Sequence, residues 1–433
     1  MTYAETLSEK VRRSGRRYAY GACLFGCISE VMLDSSAIII IFFTMLDGGD
    51  MLTMLGTSFT GILGALFYIP CSILITRCGL KKVVYHSCLA GCVGFMLIAC
   101  APFFGMAAAK YVALAGCLIY SFQRISYGAA WYPLLDVFLR PEDRAKFFGT
   151  MRFFYTGFTG TLFFIIGLIM QKNPPVMFLQ MVIGCAGLLI LGRAFCVSRF
   201  PDNLRDAPEN PDVRKGLGIA MKNGPLTAYS IYVWMFTIAH ASLSPLAYLY
   251  YRQYVQLNPG TVQIISTAGI AGLVTGYWCY SRKLGACKLK YLELLSHCIY
   301  IVAAFTLFFT DKSVPGFPLI AGCVMFSITF AASLFTCNNS AELLALARPG
   351  NKAMAMAFVQ TYSSAGTAIG RTGTSLLLGT SMFAPVWEFF GREISRYQTF
   401  FLLSGSLMLI LLFMLPSLPS FVPERNDYYE PKR

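Results

Sequence analysis

The stretch QRISYGAAWYP, residues 123–133, places Arg124 in the middle of an apolar run that extends from Lys110 to Phe138. A run of that length can cross a membrane, and an arginine near the midplane costs roughly 3 kcal/mol on insertion scales. An earlier apolar run carries SEVMLDSS, in which Glu30 and Asp34 stand one helical turn apart and share a face. Cys23 and Cys27 extend the same stripe. Ionisable side chains inside a membrane usually face a cavity and pair. Two chemistries fit these three residues. One is a structural ion pair holding two helices together. The other is a proton switch, a carboxylate that pairs with Arg124 when ionised and lets go when protonated. Two acids near one arginine leave one acid less compensated, which favours the switch.

Further polar residues recur at helical spacing. Gln360, Ser364, Thr367, Arg371 and Thr374 form one stripe in QTYSSAGTAIGRTGTS. Such a stripe is expected to line a central cavity, packing on a neighbouring polar helix being the alternative. Asn338 and Glu342 of TCNNSAELL share a face, with Asn339 beside them. Thr237, His240 and Ser244 lie on one face just before Pro245, where a kink and freed backbone carbonyls are expected. Tyr127 and Trp131 fall on or near the Arg124 face, where they either stack a sugar ring or flat solute or pack the core. Arg152 reads as a side chain snorkelling to the surface. The expected solute-binding residues are Arg124, Tyr127, Trp131, His240, Asn338, Gln360 and Arg371, with Glu30, Asp34 and Arg124 coupling the proton.

Membrane helices must position these groups. The chain has 433 residues, 56% hydrophobic and 13% charged, too apolar for a soluble protein of this length. A window of about 20 apolar residues per crossing gives twelve spans, near 18–46, 53–76, 84–104, 110–138, 147–170, 176–198, 226–251, 261–281, 289–310, 316–345, 353–382 and 397–416. The basic N-terminal stretch KVRRSGRRYAYG leads into the first of these, read as a retained helix. Most of the 15 cysteines sit inside the runs as small hydrophobes, and His86, Cys88 and Cys92 read as packing rather than a metal cluster. Lys and Arg concentrate in the loops on the side of both termini, whereas the opposite loops hold only Lys110, Lys172, Arg252, Lys312, Arg392 and Arg396. That asymmetry puts both termini in the cytoplasm and explains the net charge of +14 without a nucleic-acid partner. The polar segment 201–225 reads as a cytoplasmic linker between two six-helix halves, 1–200 and 226–433.

The halves echo each other. LITRCGLKKVV follows the second span and CYSRKLGACKL the eighth, with Gly79 and Gly285 206 residues apart. FLRPEDRAKFFG and LARPGNKAMAMAF follow the fourth and tenth, with Pro141 and Pro349 208 residues apart. Parallel repeats of this kind build one class of secondary transporter.

At these residues the chain resembles the major facilitator superfamily over nearly its whole length. SILITRCGLKK keeps the basic loop motif in Arg77, Gly79, Lys81 and Lys82, with Ser72 and Thr76 where the family carries Gly and Asp. Gly285 repeats the motif in the second half. Arg124, Gly128, Ala129 and Ala130 match the fourth-helix motif, and GFTG with Gly157 and Gly160 is similar to part of the antiporter signature, without its proline. The resemblance implies a twelve-helix all-α membrane protein of two pseudo-symmetric bundles. It also ties Arg124 to proton coupling with an acid on the first helix, and makes the basic loop a conformational motif.

The expected function is a proton-coupled symporter of a small polar or anionic organic solute, working by alternating access in the plasma or inner membrane. Its partners would be the lipid bilayer, the solute and a proton or other cation, with no cofactor and a monomeric state. A proton-driven efflux antiporter for amphipathic compounds is the alternative within transport. A polytopic enzyme or sensor is the alternative of another class, but His86, His240 and His297 are scattered and supply no convergent catalytic set. No GxxxxGK[ST] motif supports a primary pump.

Overall fold

The computed structural model describes residues 7–139, 144–170, 174–201, 213–282, 287, 289–348 and 351–417. Helices dominate, as they must where lipid offers the backbone no hydrogen-bond partner. Among the described residues eight helices are long and apolar enough to cross a membrane, and Glu9–Asp34 with Ile38–Met45 makes a ninth. Three further spans lie outside that test: Met106–Asp136, Gly224–His240 with Leu243–Gln253, and Lys352–Gly379. They are the seventh span, which is broken, and the two that carry Arg124 and Arg371. Large apolar side chains such as Leu66, Phe154, Leu168 and Met177 are exposed on the outside of the bundle, where hydrocarbon would meet them.

Three spans are broken, the first two against the reading of the sequence and the seventh where a kink was expected. The first begins at Glu9, capped by Ser8, and bends by 53° between Asp34 and Ile38. There Ser36 turns its hydroxyl to Met32 O and accepts from Ile38 N, diverting the helical ladder. The second divides into Gly49–Gly56 and Phe59–Cys78, with the hydroxyls of Thr57 and Ser58 both bonded to Met54 O. The seventh divides at Ala241–Ser242, four and three residues ahead of Pro245, so the kink expected at that proline is present.

Two departures concern the connections. The expected linker 201–225 contains a nine-residue helix, Val213–Met221, whose Gly216 O accepts from Asn351 Nδ2; residues 202–212 lie outside the described segments. Between the eleventh and twelfth spans, β1 (Val386–Phe389) and β2 (Arg392–Ser395) form an antiparallel hairpin with Trp387 opposite Ile394. Its two turn residues, Phe390 and Gly391, both have positive φ, the requirement of a two-residue turn whose twist matches the strands. The all-α expectation therefore needs this one correction.

The two bundles meet along the second and eleventh spans. A Cβ on Gly61 would lie 2.6 Å from Ala368 N, and one on Gly64 2.6 Å from Ser364 Oγ. Small residues let helices approach this closely in lipid. The Ser364–Thr367 part of the polar stripe thus packs on a neighbouring helix rather than lining a cavity. At the end that carries the 1–2 and 11–12 connections, further bonds tie the bundles. Asp50 accepts from Arg396 and, at 2.5 Å, from Tyr397 Oη; Ser375 Oγ donates to Met51 O at 2.7 Å; Tyr248 Oη donates to Ser35 O at 3.1 Å.

Candidate functional site

The first, fourth and sixth spans bring four charged side chains into one chain of contacts. Arg124 Nη1 lies 3.4 Å from Glu30 Oε2, and its Nε lies 3.4 Å from Asp34 Oδ2. Glu30 Oε1 accepts from Arg193 Nη1 at 2.5 Å. The Arg193 side chain is 2% exposed and Glu30 16%, whereas Arg124 and Asp34 at the other end are 32% and 26% exposed. One end is locked in the N-terminal bundle and the other is partly exposed.

The expected trio of Glu30, Asp34 and Arg124 is therefore together, and Arg193 joins it. Arg193 sits five residues from the end of its span, where an arginine is easily read as reaching the surface. Instead it runs inward. Its Nε donates to Ala22 O at 3.0 Å, and its guanidinium carbon stands 3.9 Å over the Tyr127 ring. The signal that could have found it is Gly26, one turn before Glu30 on the same face, which leaves a groove where the guanidinium lies.

Tyr127 and Trp131 are 5% and 8% exposed and stacked on each other, with ring centres 5.0 Å apart. Tyr127 underlies the Arg193 guanidinium and Trp131 backs Tyr127, and core packing is the reading they fit. Arg152 does not snorkel: its guanidinium lies over the ring of Tyr277 on the eighth span, 5.1 Å from its centre.

Arg371 is anchored by backbone. Its Nε donates to Ala241 O at 2.9 Å and its Nη1 to Thr57 O at 2.7 Å. Pro245 has no N–H to offer the carbonyl four residues before it, and that carbonyl belongs to Ala241. The kink of the seventh span thus creates the acceptor that Arg371 fills, and the break of the second span presents the other. Among the described residues no carboxylate lies within ion-pairing distance of Arg371. Gln360, about three turns earlier on the eleventh span, is exposed and hydrogen-bonded to Tyr68 of the opposite bundle.

The remaining expected residues are placed elsewhere. His240 donates from Nδ1 to Phe236 O at 2.7 Å and packs among Phe236, Tyr300 and Phe335. Asn338 is buried within the C-terminal bundle, where its Nδ2 donates to Glu293. In the loop motif, Gly79 turns the chain at φ +90°, Arg77 and Lys82 are exposed, and Lys81 Nζ donates to Phe200 O at 2.8 Å. Gly285 lies outside the described residues.

Two helical bundles joined across a membrane, with partly exposed charged groups in their spans, define a secondary transporter. The family model of the Major Facilitator Superfamily matches residues 22–371, and the chain belongs to that superfamily. The family comprises transporters rather than enzymes, which sets aside the enzyme or sensor reading. No curated protein sequence matches the chain. Among solved structures it is similar to the nucleoside transporter NupG, with a TM-score of 0.66 and 14% identity over 94% of this chain and 98% of that one. The human organic anion transporter MFSD10 (TETRAN) gives 0.58 and 14% over 93% and 99%. The xylose transporter XylE from E. coli, in a partially occluded inward-open conformation, gives 0.66 and 10% over 96% and 100%. At such identities the likeness is one of fold.

Proposed function

We propose that this transporter is a proton-coupled symporter of a small polar or anionic organic solute, working by alternating access in the cell membrane. It acts as a monomer, with residues 1–200 and 226–433 as the moving bundles and both termini and the 201–225 linker in the cytoplasm. The observation that carries the reading is the inequality between two acids. Glu30 is in direct contact with two guanidinium groups and Asp34 with one, at 3.4 Å, Arg371 acting on Asp34 only from a distance. Asp34 is the acid that can exchange its partner for a proton at least cost, and Arg124 keeps its charge because guanidinium does not deprotonate in proteins.

Protonation of Asp34 would free one edge of Arg124 toward the space between the bundles, where an acidic or hydroxylated solute could take it. Arg371, held by backbone carbonyls and within electrostatic reach of Asp34 but in no direct ion pair among the described residues, supports an anionic or strongly polar group on the solute. The names of the structural neighbours, nucleoside, organic anion and xylose transporters, fit a small organic solute of that polarity. The ties at the 1–2 and 11–12 connections support a state open to the cytoplasm.

A thermal-shift screen of sugars, carboxylates and nucleosides on the purified protein identifies the solute, because binding to the folded state alone raises stability. Proteoliposomes with an acidic exterior should then accumulate that solute, and a protonophore should abolish the accumulation. Solute leaving the vesicles as protons enter would overturn symport in favour of efflux.

A further inference from the structure

We propose that Glu293, in the C-terminal bundle, is a second proton-binding site, connected through Tyr232 to His297. The carboxylate lies in the ninth span, Leu289–Phe309, and the residue is 3% exposed. Its Oε1 accepts from Tyr232 Oη at 2.7 Å, and its Oε2 accepts from Asn338 Nδ2. Both donors are neutral, and Glu293 makes no ion pair among the described residues. This contrasts with Glu30 and Asp34 of the N-terminal bundle, each of which meets an arginine. A buried carboxylate without a cation is costly when ionised, and taking up a proton removes that cost.

The neighbours provide for both states. His297 is fully buried, and its Nδ1 lies 3.1 Å from Glu293 O. A carbonyl oxygen only accepts, so Nδ1 carries the ring proton and Nε2 of the neutral ring is an acceptor. Nε2 lies 3.4 Å from Tyr232 Oη. Tyr232 therefore has one proton and two acceptors. With Glu293 ionised, the tyrosine donates to the carboxylate. When a proton joins the carboxylate, the new carboxyl O–H donates to Tyr232 Oη, and the tyrosine turns its own proton to His297 Nε2. With Glu293 ionised, His297 Nε2 has no donor; with Glu293 protonated, the carboxyl, the tyrosine and Nε2 are all joined, and the change is a net gain of one proton on Glu293.

The ionisable surroundings are few. The seventh span contributes Tyr229, which lies within electrostatic reach of both Glu293 and Glu342, and His240, which shares Phe236 with His297. The tenth span brings Glu342, one turn beyond Asn338. The twelfth brings no ionisable side chain after Tyr397 within Arg396–Met414. Arg152 of the fifth reaches the tenth at Cys337.

The protein has three histidines, so nitrogen NMR of the full chain labelled at histidine resolves His297 directly, with His297→Gln assigning its signals. The expected result is a neutral ring whose Nε2 signal moves in a single one-proton step with pH. In Glu293→Gln, and independently in Tyr232→Phe, that signal should stay fixed across the same range. Movement that persists in either folded variant overturns the proposal. So does a wild-type signal that never moves, or one that becomes an imidazolium, which would put the proton on His297.

Discussion

Arg193 lies so close against Gly26 that a Cβ on the glycine would stand 1.6 Å from its guanidinium carbon. The glycine is the missing half of an arginine site, because the first span can accept the guanidinium only where it carries no side chain. Gly26→Ala should therefore act as a loss of Arg193. Breaking a buried ion pair by removing one partner costs about 3–5 kcal/mol, and each single variant should lower the melting temperature substantially. Gly26→Ala with Arg193→Ala should melt close to the worse single variant. Additive losses in detergent would show that the two residues act apart.

Tyr127 is expected to matter as the ring beneath Arg193. Tyr127→Phe keeps the π face and should change stability little, whereas Tyr127→Leu should cost about 1–2 kcal/mol from the lost desolvated cation–π contact. Solute affinity of the folded fraction should be the same in both. A tenfold weaker affinity for Tyr127→Leu at unchanged melting temperature would return the ring to the solute site.

Much of this site was legible because charge inside an apolar run is conspicuous. Glu30, Asp34 and Arg124 stood out by depth alone, and the structure places them in contact. Arg193 and Glu293 were missed because both lie near the ends of their spans, where a charged side chain ordinarily reaches the surface. Their inward course depends on Gly26 in one case and on Tyr232 and Asn338 in the other, which are partners from other helices. The breaks at Ser35 and Thr57 were hidden because a hydropathy window averages over one or two hydroxyl residues. The hairpin was readable in VWEFFGREIS from its paired strands around Phe390–Gly391, a signal overlooked in a chain of helices.

Arg371 bridges two helix breaks, one in each bundle. Arg371→Ala should leave the fold intact, since only backbone carbonyls lose a partner and water can replace it. Hydrogen exchange should rise around residues 57–61 and 241–245, and solute affinity should fall. Unchanged exchange in both segments would mean that the bridge does not hold the bundles together.

Asp50 gathers Arg396 and Tyr397 of the opposite bundle. Asp50→Asn keeps the shape but removes the charge, so the closed end should open more often. Faster hydrogen exchange in residues 46–56 and 392–400 is the expected outcome. Equal exchange in wild type and variant would place the closure elsewhere.

The central claim is that Asp34 exchanges Arg124 for the transported proton. It is tested most directly by recording solute entry and proton entry together in proteoliposomes holding wild type or Asp34→Asn. Wild type should bring in protons with solute and accumulate it against its gradient. Asp34→Asn should retain solute exchange at equal concentrations while losing both proton entry and uphill accumulation. Proton entry that continues in step with solute in Asp34→Asn would contradict the account.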